Sequence, residues 1–263
     1  MHTPDTDCFR ISPRTGWAVV WSQAVANAGF FAVIPFLAGH LDSSLGVSAT
    51  LVGVVLGVRT ASQQGMFVLG GVCADRWGPR TLGVVGCAVR VAGFGLLGYA
   101  TTLPTVILAA ILTGLGGALF SPSLEATLSH VSDDSLIRRE WFARFAAVGE
   151  AGALIGPIIG AAVSGYSFRT VCVMSAGFFV VLGIAMAVHL PHHLHRNSRL
   201  PSLRPALTHR RFMAFAAIYS VQLFAWNQLY FAFALEAQAT ASLLSPAVLI
   251  GAMFALTLSL IHI

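Results

Sequence analysis

The sequence predicts an all-α, polytopic membrane protein, and three observations carry that reading. Of 263 residues, 56% are hydrophobic and only 10% charged, and the mean hydropathy is +0.79. Soluble domains carry about 25% charged residues, so this chain has too few to solvate a globular surface. Second, its apolar residues gather into stretches of about 20, the length at which a helix crosses a hydrocarbon core with its backbone hydrogen bonds closed internally. Third, arginines fall at alternate ends of those stretches, the asymmetry that orients a helical bundle in a bilayer.

The first span is expected from Gly16 to Ala38. Its length, the polar Gln23 and Asn27, Pro35 and the lack of a small-residue cleavage site separate it from a cleavable signal peptide. A second span is expected from Ser48 to Gly70 and a third from Thr81 to Ala100, parted by a short charged turn. Further spans are expected from Pro104 to Leu128, Phe142 to Tyr166, Thr170 to Leu190 and Phe212 to Leu235. An eighth begins near Ser245 and stops at Ile263 inside apolar sequence, so the chain reads as a truncated product whose last residues need not be native.

Twelve of the fifteen arginines fall on one side of this layout. They are Arg10 and Arg14, Arg76 and Arg80, Arg138, Arg139 and Arg144, and five between Arg196 and Arg211. Arg169 stands alone on the other side, while Arg59 and Arg90 lie inside spans. The amino terminus is therefore expected in the cytoplasm. The net charge of +5 follows from this topology and gives no reason to expect nucleic acid.

The connection from Pro191 to Arg211 is the longest, and it divides the chain into a six-helix bundle (1–190), a cytoplasmic linker (191–211) and the start of a second bundle (212–263). His189, His192, His193 and His195 cluster at the linker, but no acidic residue joins them, and solvated filler is the better reading than a metal site. Cys8, Cys73, Cys87 and Cys172 lack metal-ligand spacing and read as small hydrophobes. No cofactor is expected. An enzyme is disfavoured, since HExxH, GxSxG and phosphate-loop patterns do not occur.

The most informative stretch is Gly71 to Arg80, Gly-Val-Cys-Ala-Asp-Arg-Trp-Gly-Pro-Arg. Gly71 and Gly78 are expected to let the backbone turn sharply and pack closely. Pro79 suits a first helical position, and Asp75, just ahead of that helix, is placed to cap free amides and meet the positive end of its dipole. The stretch resembles motif A of the major facilitator superfamily of secondary transporters, roughly G-x-x-x-D-R-x-G-R-R/K. The resemblance implies that Gly71, Asp75, Arg76, Gly78 and Arg80 belong to a latch on the cytoplasmic gate, rather than to a merely solvated turn. Pro79 replaces the arginine that pairs with the aspartate in the family, leaving Arg80 as its substitute.

In the fifth span, Gly152, Gly156, Pro157 and Gly160 recur at close to fourfold spacing. Small residues in that pattern let two helices approach closely, and proline bends the helix. The stretch resembles motif C of the drug–proton antiporters in that superfamily, with Ala161 replacing a final glycine. The sequences Gly57 to Gly65 and Val89 to Phe94 resemble the MdtH-like subgroup of multidrug exporters. Together these likenesses cover about residues 16–166. They imply the amino-terminal six-helix half of such a transporter followed by about two helices of the carboxyl half. One departure is Ala110, which stands where such exporters often carry an arginine four residues before a glycine, here Gly114.

Ionisable residues inside a bilayer cost a few kcal/mol, so each is a functional candidate. Arg59 and Arg90 lie near mid-depth, and Glu150 lies inside the fifth span beyond Arg144. Glu125 lies near the cytoplasmic end of the fourth, within reach of motif A. Glu150 is the first choice for a proton-exchanging carboxylate; a structural ion pair is the plainer reading of Glu150 and Arg59, and interfacial snorkelling of Glu125 and Arg144. Gln23, Asn27 and Phe31 on the first span, with Gln222, Trp226, Asn227 and Tyr230 beside Tyr219 on the seventh, are candidate cavity residues. Amides mixed with aromatics suit amphipathic, often cationic solutes, although such stripes more often pack helices.

The expected protein is thus a monomeric multi-pass transporter in a bacterial inner membrane, exporting small organic compounds in exchange for protons by alternating access. A nutrient symporter of the same superfamily is the first alternative. A seven-helix receptor is the second, though it would normally place its amino terminus outside.

Overall fold

The computed structural model describes residues 10–164, 167–191 and 208–222, and among the described residues there is no strand. Among the described residues up to 191, seven helices follow one another: α1 (Pro13–Leu45), α2 (Ala49–Gln64), α3 (Phe67–Trp77), α4 (Pro79–Tyr99), α5 (Leu103–Leu128), α6 (Ser135–Ser164) and α7 (Phe168–His189). The all-helical class is the expected one. Five of them, α1, α4, α5, α6 and α7, are long and apolar enough to cross a membrane by length and composition.

Local chemistry fixes the helix ends. The Ser12 hydroxyl accepts from the Thr15 amide at 3.2 Å where α1 starts, and Gly46, at φ 59°, takes the left-handed position that closes it. Thr102 and Thr105 form a reciprocal capping box at the start of α5. Asp134 accepts from the Leu136 amide at 2.8 Å, so α6 begins seven residues before the expected Phe142. Ser167 Oγ accepts from the Thr170 amide at the start of α7. Pro35, Pro122 and Pro157 lie within α1, α5 and α6.

The single span expected from Ser48 to Gly70 is corrected to two helices, broken at Gly65 and Met66. Close contact with α5 gives the reason. A Cβ on Gly114 of α5 would stand 2.4 Å from the Arg59 carbonyl oxygen of α2, and one on Gly70 of α3 would stand 2.0 Å from that of Ala118. The bend, at a Met66 backbone of φ −97° and ψ −2°, lets both pieces follow α5 at this distance.

The expected turn from Gly71 to Arg80 shrinks to one residue. α3 continues through Trp77, α4 starts at Pro79, and only Gly78 between them leaves the helical conformation, at φ 82° and ψ 145°. That backbone region is nearly closed to any residue with a Cβ. Gly78→Ala is therefore expected to destabilise the protein by about 1–3 kcal/mol, read as a lower midpoint in thermal unfolding of purified protein; an unchanged midpoint would show that the reversal tolerates a side chain.

The packing pairs are mainly α4 with α5, α1 with α6, and α4 with α7. Phe94, Phe120 and Phe179 form the centre, with Phe94 and Phe179 stacked at 5.6 Å between centroids. At one end of the bundle, Arg10 pairs with Asp133 at 2.6 Å, tying the amino-terminal segment to the α5–α6 connection. At the other end, Arg169 donates to the Gly98 carbonyl at 3.3 Å and covers the Tyr99 ring. The outer surface stays apolar: Trp21 is 60% exposed and Val188 69%. Such a surface is what lipid tails accept and water does not.

Candidate functional site

The α1–α6 seam is a ladder without side chains on one rail. A Cβ on Gly152 would lie 2.1 Å from the Ala24 carbonyl oxygen; on Gly156, 2.7 Å from that of Ala28; and on Gly160, 2.2 Å from that of Ala32. Motif C glycines thus do what their spacing predicts, and their partner is α1. One turn earlier, Asn27 Nδ2 donates to the Gly149 carbonyl at 2.9 Å, and a Cβ on Gly149 would meet Gln23. Phe31 sits against Gly156. The three α1 residues expected to line a cavity all touch α6 in this way, and each is half-buried.

Glu150 follows Gly149 in α6, about 100° further round the helix than the glycine face, and is half-buried. Arg144, one turn and a half before it, pairs with Glu140 instead, and its guanidinium covers the rings of Trp141 at 5.2 Å and Trp17 at 5.7 Å. Glu140 lies at i−4 on the same face, whereas Glu150, six residues on, faces another direction. The Glu150–Arg59 pair weighed from sequence does not form, because Arg59 points to a different part of the bundle.

Arg59 of α2 and Arg90 of α4 are 6% and 4% exposed. Their guanidinium carbons lie 4.7 Å and 5.4 Å from the ring centre of Phe30 on α1. Arg90 also covers Phe179 at 4.8 Å and Phe120 at 5.8 Å. Neither is paired with a carboxylate among the described residues. Arg59 Nη2 donates to the Thr60 hydroxyl at 3.2 Å, but Arg59 Nε and Nη1, Arg90 Nε and the Gln63 carboxamide oxygen are buried without a partner. Gln63 stands one turn after Arg59 on α2, and a Cβ on Gly117 of α5 would meet both Arg90 Nη2, at 2.3 Å, and the Gln63 carboxamide carbon, at 2.9 Å. The sequence places both arginines at mid-depth. It does not show that they meet, nor that Phe30 and Gln63 join them; the one available signal is the run of glycines Gly114, Gly116 and Gly117 facing that depth.

At the motif A corner, Asp75 lies in α3 rather than ahead of α4, and Arg76 in its last turn. Gly71 faces open space, so the close approach assigned to it belongs to its neighbour Gly70, against Ala118. Arg80 opens α4 and is half-buried, and Glu125 of α5 is exposed. At the far end of the described chain, Gln222 and Tyr219 are exposed on a helical segment at 210–222. Trp226, Asn227 and Tyr230 lie outside the described residues, as do His192, His193, His195 and Cys8. Cys87 packs on the Met186 sulfur at 3.9 Å and Cys172 is buried, as small hydrophobes would be. Among the described residues no three His, Cys, Asp or Glu side chains gather to hold a metal.

Comparison with known proteins follows the same lines. The profile of the Major Facilitator Superfamily matches residues 19–262. An uncharacterized MFS-type transporter of Mycobacterium tuberculosis is 37% identical over 257 residues, 95% of this chain and 60% of that protein. The multidrug resistance protein MdtH of Salmonella arizonae is 35% identical over 194 residues, 71% of this chain and 47% of the relative. This chain therefore spans about half of the curated relatives' length. Among solved structures, the human organic anion transporter MFSD10 aligns with a TM-score of 0.68 over 94% of this chain and 70% of its own, at 16% identity. A peptide transporter POT aligns at 0.65 over 88% of this chain and 52% of its own, at 17% identity. At these identities the likeness is one of fold.

Proposed function

The chain belongs to the Major Facilitator Superfamily, and from that premise we propose that the intact protein is a proton-coupled exporter of small amphipathic organic compounds in a bacterial inner membrane. The observation that carries this reading is the α1–α6 seam, where glycines bring two helices to backbone contact, with a half-buried carboxylate, Glu150, in the same stretch of α6. Such a seam can rock or slide without side-chain interlock, and a carboxyl group beside it can take up and release a proton as its surroundings change. Relatives named as multidrug resistance proteins, at 34–35% identity, favour drug-like cargo. Arg10, the α5–α6 connection and the motif A corner would then face the cytoplasm, by the positive-inside rule. Gln23, Asn27 and Phe31 would border the solute path, with motif A at Gly71–Arg80 latching the inner gate against the carboxyl half. The 1–190, 191–211 and 212–263 division describes the two halves and their joint in this scheme.

The test is transport by the full-length protein in proteoliposomes with an imposed pH gradient. Accumulation of a fluorescent amphipathic dye against its own gradient, abolished by a protonophore, is expected. Dye movement that follows the proton, in the same direction, would establish symport instead, and no gradient-dependent movement would remove the reading.

A further inference from the structure

The Arg59–Arg90 region asks for something the described protein does not supply. Two guanidinium groups are buried well inside their spans: Arg59 is ten residues into α2, which α3 continues, and Arg90 eleven into the 21-residue α4. At 1.5 Å per residue each lies about 15 Å from the helix start, too deep for a lipid headgroup. Their guanidinium carbons lie 4.7 Å and 5.4 Å from the same Phe30 ring centre, so two like charges share one ring. Burying a charge without a counter-charge is costly, and attraction to an aromatic face recovers only part of that cost. The rings of Phe30, Phe120 and Phe179 cover guanidinium faces. What stays unpartnered is at the edges: Arg59 Nε and Nη1 and Arg90 Nε. A guanidinium with covered faces and open edges is the arrangement that grips a planar, bidentate oxyanion. Gln63, in contact distance of the same glycine as Arg90, has its carboxamide oxygen unpartnered, and turning that amide presents its NH2 group to an anion.

We propose that Arg59 and Arg90, with Gln63 between them, bind the anionic group of a small organic solute: a carboxylate, sulfonate or phosphate. The site lies among α1, α2, α4, α5 and α7. Gly114 and Gly116 let the α2 and α4 backbones pack directly on α5, and the Arg90 guanidinium and Gln63 lie over Gly117, where any side chain would displace them. The proposal deepens the transport reading by setting the charge of the cargo: two positive groups without a carboxylate favour organic anions and oppose the organic cations that the amide and aromatic stripes suggest. Its physiological meaning rests on that reading, but binding does not.

Binding is therefore measured apart from transport, on full-length protein in zwitterionic phosphatidylcholine nanodiscs at constant ionic strength. The probes are 1-naphthalenesulfonate, inorganic sulfate and the cation tetraphenylphosphonium. A saturable rise in the thermal midpoint with naphthalenesulfonate is expected, and none with tetraphenylphosphonium. Arg59→Gln and Arg90→Gln should each weaken the naphthalenesulfonate response at least about tenfold. A response to sulfate as large as that to naphthalenesulfonate would still support the oxyanion site and assign it to inorganic anions. The wild-type arm decides by itself if a variant fails to fold: no saturable anion response, or a response to the cation alone, overturns the proposal. So does an anion response that both variants retain. Anion binding without gradient-driven transport would sink the transport reading and leave this site standing.

Discussion

Glu150→Gln is expected to abolish proton-driven export while leaving the protein folded. Glutamine keeps the size and the hydrogen-bonding shape of the side chain and removes only its ability to release a proton. Glu150 is half-buried in α6, next in sequence to Gly149, which meets Gln23 and Asn27, so the change falls on a helix that must move. Stability should not fall, because a neutral group inside a bilayer avoids the few kcal/mol that an ionised one costs. Two transport measurements separate coupling from collapse. In proteoliposomes, accumulation of dye driven by a pH gradient should drop to the protein-free background, while exchange of dye down its own gradient persists. Gradient-driven accumulation at the wild-type rate would remove Glu150 from the proton path.

The largest structural effect is expected at Gly152. Even a methyl group there would sit 2.1 Å from the Ala24 carbonyl oxygen and 2.7 Å from its Cα and carbonyl carbon. Those atoms are backbone, held in α1, and no rotamer change can move them aside. Overpacking a core costs about 1–3 kcal/mol when side chains can yield; here the helices themselves must part. Gly152→Ala should therefore lose more than the roughly 1 kcal/mol that alanine gains over glycine within a helix, and Gly152→Leu should leave little monodisperse protein. Gly177 of α7, which has open space about its Cβ position, is the control, and its alanine variant should behave as wild type. Fluorescence-detected size exclusion of detergent extracts reads both. A monodisperse Gly152→Leu protein with the wild-type melting point would mean that α1 and α6 do not meet there.

Much of the fold was legible because membrane helices announce themselves by length and apolarity, which are local properties. The boundaries were less so. α1 and α6 start before the expected residues because capping at Ser12 and Asp134, not hydropathy, decides where they begin. The break at Gly65 and Met66 follows Ser62, Gln63 and Gln64, the polar part of that span, and the approach of α5 at Gly114 and Ala118 accounts for it. At the site, glycine spacing foretold close packing on α6, but Gly71 was assigned a contact that belongs to Gly70. Arg144 pairs with Glu140 rather than running toward Glu150, a matter of which helix face each occupies.

The residues alone determined that this chain is built of apolar helices long enough to cross a membrane, and that it resembles a superfamily to which it belongs. Those properties follow from composition and from spacing along a single helix. The partner of each face was decided only in three dimensions: motif C glycines against α1, the motif A turn reduced to Gly78, and two distant arginines brought around Phe30 without a carboxylate among the described residues. The physical reason is that lipid solvates every apolar helix face alike. Which faces meet is then settled by shape and close backbone approach, which depend on all the helices at once.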